Sequence, residues 1–315
     1  MTFSVMSHFA GVGGIDLGFE SSGKFKTIWA NEIDKKASET FMKNFDAPLI
    51  IDDIHNLDPK DAPDVDVIIS GFPCQAFSIA GYRKGFEDER GSLFFETLKY
   101  IIEKEPKVVF LENVKNFVGH DNGRTFNVVK EALEAYGYHL KFQVLNAKDF
   151  GNIPQNRERI YIVGFKDKSH YKNFEFPMPV KLTTKLSDVI YFDKKVDDKY
   201  YYTSEKTSFF DELEKNIVSQ NSIYQWRRKY VRENKSGLVP TLTANMGTGG
   251  HNVPIILSDY GIRKLTPREC FNVQGFPESF ILPDQADSHL YKQAGNSVVV
   301  PVVKRIACNI AEAIC

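Results

Sequence analysis

Two short stretches hold the residues best suited to chemistry, Gly71-Phe72-Pro73-Cys74-Gln75 and Glu112-Asn113-Val114. The first follows Asp66-Val67-Ile68-Ile69-Ser70, an apolar run of strand length closed by Gly and Pro. It reads as a buried strand of a parallel sheet. The second follows Lys107-Val108-Val109-Phe110-Leu111, a run of the same kind. In open α/β sheets, reacting groups collect beyond the carboxyl ends of the strands. Cys74 and Glu112 are therefore expected at one edge, and a thiol delivered beside an acid suits covalent catalysis with proton transfer. A free thiol titrates near pH ~8.5, so activation calls for the strand-end environment and nearby cations. Alternation over 157–163 predicts a strand with Arg157 and Arg159 on one face. Two arginines so placed need an anion, either Glu112 or a phosphate.

The elements around these groups follow from the pattern. Residues 2–9 form a strand-like run that enters Ala10-Gly11-Val12-Gly13-Gly14 and then a helix start. A glycine turn between strand and helix lets the backbone approach a ligand and aims amides at it. The next strand, Lys26 to Ala30, ends in Asn31-Glu32, an acid about 20 residues on, where nucleotide-binding units hold ribose hydroxyls. Gly11, Gly13 and Gly14 fall short of the dinucleotide fingerprint. That favours a nucleoside without a pyrophosphate: S-adenosylmethionine fits this description and NAD does not. A helix is expected over Asp34–Asn44, and a strand at 48–51 leads into Asp52-Asp53-Ile54, where Asp53 is either an acceptor for an adenine amine or a surface turn acid. Further helices are expected near 92–104 and 122–136, with a strand at 139–146.

Composition narrows the class. With 315 residues, 42% hydrophobic and 26% charged, the chain has room for a large domain and a smaller one and is not a disordered polymer. No apolar run reaches the roughly 18 residues that span a bilayer, and a secretory leader is lacking, so a cytoplasmic protein is expected. Cys74, Cys270, Cys308 and Cys315 show no C-x-x-C spacing, which argues against metal or a disulfide framework. A net charge of −1 means that nucleic-acid contact must come from a local basic face.

Such faces exist. Ser78 to Phe86 is a basic, aromatic loop with glycines at both ends, a candidate lid that offers Arg83 and Lys84 to phosphate. Between about 187 and 267 the βαβ alternation stops. A helix-like stretch at 208–219 precedes Gln225-Trp226-Arg227-Arg228-Lys229-Tyr230-Val231-Arg232, whose mixture suits phosphate neutralisation and stacking; the plainer reading is a solvated basic helix face. Pro240 to Asn252 is a hydrogen-bond-rich loop able to present side chains to base edges. Thr266-Pro267-Arg268-Glu269 is a capping box that starts a short helix, on which Cys270 reads as packing. Val299, Val302, Val303, Ile306, Ile310 and Ile314 form a helical stripe that needs a partner surface.

The chain resembles the cytosine-C5 DNA methyltransferases along nearly its whole length. The matching motifs run in order: Phe9-Ala10-Gly11-Val12-Gly13-Gly14, Asn31-Glu32, Asp53-Ile54, Phe72-Pro73-Cys74-Gln75, Glu112-Asn113-Val114, Gln155-Asn156-Arg157-Glu158-Arg159, Thr266 to Cys270, Gln274-Gly275-Phe276-Pro277 and Gly295-Asn296-Ser297-Val298. Only 187–267 lacks a shared pattern, apart from Thr241-Leu242. The resemblance implies an α/β, Rossmann-like S-adenosylmethionine-dependent methyltransferase sheet with a second, smaller DNA-recognition domain. Residues 1–186, completed by 268–315, would form the catalytic and cofactor-binding domain, and 187–267 the target recognition domain.

The same resemblance implies the roles. Cys74 would add to C6 of cytosine, Glu112 would hydrogen-bond N3, Arg159 would hold O2 and orient Glu112, and Arg157 would support the carboxylate or a phosphate. Phe9, Gly11, Gly13, Glu32, Ile33, Asp53, Ile54, Phe72, Asn296 and Val298 would hold S-adenosylmethionine. The target base would leave the duplex, and Gln75, Ser78, Arg83, Lys84, Arg90, Arg227, Arg228, Thr241 and Asn245 would contact DNA. Ala80 departs from relatives that carry a lid serine. The expected partner is double-stranded DNA, with no metal and no membrane, acting as a monomer beside a restriction endonuclease in a prokaryotic modification system. Three competing readings are weaker. A tRNA cytosine methyltransferase would show Pro-Pro-Cys-Gln and a Cys-Phe-Thr stretch; an NAD oxidoreductase leaves Cys74 and Glu112 without a role; a non-catalytic regulator has no use for Cys74, Glu112, Arg157 and Arg159 together.

Overall fold

The computed structural model describes residues 2–73, 93–247 and 253–315, so Cys74, Gln75, Ser78, Ala80, Arg83, Lys84 and Arg90 lie outside the described residues. The chain divides into two compact units. One comprises Met1–Leu145, Glu158–Met178 and Val302–Cys315; the other comprises Asn146–Arg157 and Pro179–Pro301.

The first unit is built on a seven-stranded sheet. Strands β1 (Phe3–His8), β2 (Phe25–Asn31), β3 (Leu49–Ile50), β4 (Val67–Ser70) and β5 (Val108–Val114) lie in the order β3-β2-β1-β4-β5, followed by Glu158–Phe165 and His139–Asn146. Neighbours among β1 to β5 pair in parallel, and Glu158–Phe165 runs antiparallel to β5. All four residues of β4 are buried, as a strand covered on both faces requires. The order reverses between β1 and β4, which makes their carboxyl ends the switch point where such sheets bind ligands.

Helix α1 (Gly14–Glu20) follows Gly13, whose φ of 83° suits glycine. A Cβ there would also stand 2.2 Å from the Phe45 ring, so the turn closes only without a side chain. A Cβ on Gly18 would meet Val303 at 2.5 Å. α1 thus packs at backbone distance against the last helix, Val300–Ile314, and Val303, Ile306 and Ile310 of the expected apolar stripe are wholly buried. Helix α2 (Lys35–Met42) is capped by Asp34, which accepts from the amides of Lys36 and Ala37. In helix Leu93–Lys104, Phe94, Leu98 and Ile101 fall on one stripe and join Phe72 and Phe117 in the core.

In the second unit Ile223–Trp226 pairs antiparallel with Val231–Asn234 on one side and Ile255–Ser258 on the other, and Gly261–Lys264 completes a four-stranded sheet. Leu213, Ile217, Tyr224, Trp226, Ile255 and Ile262 form its core, and Phe209 stacks on Trp226 at 4.4 Å. The basic stretch is therefore a β-hairpin with Arg227, Arg228, Lys229 and Tyr230 exposed at its tip, and the helix-face reading is corrected. The reason is local: Tyr224 and Trp226, two apart, both point inward, a strand period. Helix Phe210–Asn216 is shorter than the 208–219 expected.

Buried polar groups tie the segments that flank 187–267 into the second unit. Gln155 donates to the Val273 carbonyl (2.8 Å), and the amide of Val300 donates to the Gln274 carbonyl (2.9 Å). The Arg263 and Glu269 side chains, both fully buried, pair at 2.7 Å, and Glu269 accepts from the Tyr191 amide (2.8 Å) and the Thr266 amide (2.7 Å). This is the predicted capping box, closed from both sides. Cys270 is fully buried beside it, in a packing position.

Candidate active site

The ends of the first strands are stitched together. The amide of Ala10 donates to the Asn31 carbonyl (3.0 Å), and Asn31 Nδ2 donates to the carbonyls of Ile50 (3.0 Å) and Asp52 (2.9 Å). Glu32 turns back toward the glycine loop. Its Oε2 accepts from the Gly11 amide and its Oε1 from the Asp34 amide, both at 2.8 Å. Burial pushes the Glu32 carboxyl above its ordinary pKa, while these amides pull it down. Phe9 carries a positive φ of 54°, a strained conformation at the turn itself. Ile33 is 60% exposed beside Glu32, whereas Ile54 and Phe72 are core residues only 2% exposed. Asp53 caps the turn Ile54–Asn56, accepting from the His55 amide (3.1 Å) and bonded to His55 Nδ1 (2.6 Å), and these bonds lower its pKa.

Beneath this loop lies a carboxyl group that the sequence did not single out. Asp16 is wholly buried and accepts from Ser7 Oγ and Thr27 Oγ1, each at 3.0 Å, joining α1 to β1 and β2. Burial pushes it up to about 7. His8, at the end of β1, is buried between Trp29 and Tyr100, and burial pushes its imidazole down to about 3, so it is neutral at physiological pH.

The acid expected to act stands at the end of β5. Glu112 pairs across the antiparallel junction with Tyr161, and Arg159 is the diagonal neighbour, placing Arg159 Nε 3.1 Å from Glu112 Oε1. Both side chains are mostly buried. Glu112 Oε2 lies 3.7 Å from where a Cβ on Gly71 would be, three residues before Cys74. Asn113 Nδ2 donates to the Phe72 carbonyl (2.9 Å) and Asn113 Oδ1 accepts from the Val114 amide (2.8 Å), fixing the chain that leads to Cys74. No sequence signal marks that bond, since its partner is 41 residues away.

Arg157 makes contacts that its place in the sequence does not announce. It precedes the strand that carries Arg159, and in its own unit its guanidinium donates to the carbonyls of Leu242 (2.7 Å), Gly295 (3.2 Å) and Ser297. These carbonyls fasten Thr241-Leu242 to Gly295-Asn296-Ser297. Thr241 Oγ1 donates to the Asn156 carbonyl (2.6 Å), while Asn245 is exposed and accepts from Thr243 Oγ1. In the same unit Asn296 is exposed and Val298 buried. Arg228 has a φ of 63° at the hairpin tip. Among the described residues no group of three His, Cys, Asp or Glu is arranged to hold a metal, and no helix is long and apolar enough to cross a membrane.

A parallel-dominated sheet whose first strand ends in a glycine turn and whose second ends in a desolvated acid defines the class: an S-adenosylmethionine-dependent methyltransferase. Residues 3–312 match the C-5 cytosine-specific DNA methylase family. Over 307 residues the chain is 67% identical to the type II methyltransferase M.Bsp6I of Bacillus sp. (strain RFL6), covering 97% of this chain and 98% of that protein. It is 41% identical to the type II methyltransferase M.HhaI of Haemophilus parahaemolyticus, over 97% and 93% of the two chains. The fold is also that of the S. pombe Dnmt2 methyltransferase, with a TM-score of 0.75 at 20% identity and 99% of each chain covered. The chain belongs to the C-5 cytosine-specific DNA methylase family; it is a DNA (cytosine-5-)-methyltransferase of the prokaryotic restriction–modification type.

The residues present fit the family's cofactor. Each oxygen of Glu32 already accepts one amide and retains capacity for a hydroxyl donor. A Cβ on Gly11 would meet nothing within 4 Å, so open space adjoins the loop, and exposed Ile33 offers an apolar wall.

Proposed function

We propose that the enzyme methylates C5 of a cytosine turned out of double-stranded DNA at a specific short sequence, through a covalent bond between Cys74 and C6. The observation that carries this reading is the Glu112–Arg159 pair at the carboxyl edge, beside the strand end that leads into Cys74. Cytosine C5 is a poor nucleophile. Addition of the Cys74 thiolate at C6 gives an enamine whose C5 can accept a methyl group, and Glu112, protonated or sharing a proton with N3, offsets the charge that develops there. Such a general acid typically contributes about 10²- to 10⁴-fold. Arg159 orients Glu112 through Oε1 and binds O2 of the base. S-adenosylmethionine supplies the electrophilic methyl group. Loss of the C5 proton to water or hydroxide and β-elimination then regenerate the thiolate.

Glu32 accepts from the ribose hydroxyls, Phe9, Gly11, Gly13, Ile33, Asp53, Ile54 and Phe72 surround the rest of the cofactor, and Asn296 and Val298 complete the site. Arg157 acts as a positioning residue rather than on substrate. The second unit reads DNA, with the Arg227–Arg228 hairpin tip on phosphate and Asn245 near the bases, while Gln75, Ser78, Arg83, Lys84 and Arg90 act from the segment after Cys74. The enzyme works as a monomer and protects DNA from a partner endonuclease.

The test is methyl transfer from labelled S-adenosylmethionine to unmethylated DNA by wild type and Cys74→Ala, with a duplex containing 5-fluorocytosine to trap the adduct. Label in DNA and a denaturation-resistant complex that requires Cys74 are expected. Label in tRNA alone, or a wild-type level of transfer by Cys74→Ala, would overturn the reading.

A further inference from the structure

We infer that the cavity between Tyr200, Lys206, Lys264 and Tyr291 in the second unit is a seat for a DNA backbone phosphate, one that anchors the duplex beside the base-reading loop. The inference rests on the proposal that this unit reads DNA.

The cavity, of about 610 Å³, is donor-rich. Its one carboxylate, Asp287, is already engaged: Lys199 lies 3.0 Å from Oδ2, and Tyr200 donates its hydroxyl to Oδ1 (3.1 Å). Two further ammonium groups remain, those of Lys206 and Lys264. Lys264 Nζ sits 5.7 Å from the ring centroids of both Tyr200 and Tyr291, so its charge is held over two aromatic faces. The Tyr200 proton is given to Asp287, but burial pushes the Tyr202 phenol up to about 12, so it stays protonated, and the Thr207 and Ser208 hydroxyls add donors. A lining that offers two further cations and O–H groups around an acid already paired with Lys199 selects an anion with several acceptor oxygens, which is what a phosphodiester presents.

The source of that phosphate follows from the wall. Met246 and Gly247, which line the cavity, belong to the stretch read as the base-contacting loop, and Val253 follows directly after it. That wall is fixed in place: a Cβ on Gly247 would stand 1.9 Å from the Ser288 carbonyl oxygen, and one on Gly295 2.2 Å from the Thr243 backbone. A phosphate held here is thus kept in constant register with whatever the loop reads, the task of backbone contacts in specific complexes.

The test uses the full chain with S-adenosylhomocysteine bound. DNA affinity is measured across a salt series for wild type, Lys206→Gln, Lys264→Gln and the double variant, on the methylated sequence and on an unrelated duplex. Loss of both ammonium groups should lower the slope of log K against log salt by about 0.9, the value for one phosphate, each single loss should lower it by no more than that, and all should weaken both duplexes by the same factor. Glutamine removes the charge while keeping part of the side-chain stem, and Lys206 is exposed, so its variant reports even where Lys264→Gln loosens the tyrosines. An unchanged slope in the double variant, or weakening confined to the methylated sequence, overturns the inference. Both outcomes are distinct from failure of the function itself, in which wild type would transfer no methyl to DNA.

Discussion

Glu32 gives the most direct perturbation of the cofactor site. In Glu32→Gln one acceptor oxygen becomes an NH₂ group. Both oxygens face backbone N–H donors at 2.8 Å, from Gly11 and Asp34, so either orientation of the amide sets one N–H against another. The variant loses a charge-assisted bond to the loop and an acceptor for one ribose hydroxyl. Hydrogen bonds to charged groups contribute about 1.5–3 kcal/mol each. Affinity for S-adenosylhomocysteine should therefore fall roughly 10- to 150-fold, read by calorimetry, with a parallel rise in KM for S-adenosylmethionine. The pH dependence carries a second signature. Burial raises the Glu32 pKa, and the bound hydroxyls favour the ionised form. Wild-type affinity should weaken as pH falls through that raised value, and the glutamine variant should stay flat across the same window. A Kd within threefold of wild type, with the same pH trend in both proteins, would refute the assignment.

Asp16 should govern stability against pH. Its folded pKa of about 7 lies above the ordinary 3.8, so the stability it contributes is fully present below 3.8 and is lost as pH rises through 7. At about 1.4 kcal/mol per unit, Asp16→Asn should gain up to about 4 kcal/mol on wild type between pH 4 and 8 in urea titrations; parallel curves would show that burial is not what sets this group. Asn113→Ala removes the bond to the Phe72 carbonyl and frees the strand end leading to Cys74. Misplacement of a reacting group by about 1 Å is worth around 10²-fold, so kcat should drop by that order with KM for the cofactor unchanged, and a kcat within twofold would remove Asn113 from the positioning set.

Much of the fold was legible because its signals are local. The uninterrupted Val67–Ile69 and Val108–Leu111 runs announce buried parallel strands, and Thr266-Pro267-Arg268-Glu269 announces its helix, since propensity, capping and burial act within a few residues there. The hairpin at 223–234 was less clear, because each strand is only four residues long and Ile223 and Tyr224, adjacent in sequence, are both buried, which leaves no clean strand alternation to read.

By itself, then, the sequence determined which groups stand at the carboxyl edge: the acid after β2, the glycines after β1, Glu112 near the end of β5 and the chain toward Cys74 after β4. A strand's end and the residue following it are set by the strand's own pattern. Only the tertiary structure decided what those groups touch. Arg157 and Arg159 are two residues apart and look equivalent, yet one pairs with Glu112 while the other fastens the carbonyls of Leu242, Gly295 and Ser297. Asp16 became a buried acid because α1 packs it between Ser7 and Thr27. A side chain's partner is chosen by residues far off in the chain, and no local preference encodes which of them folding brings within 3 Å.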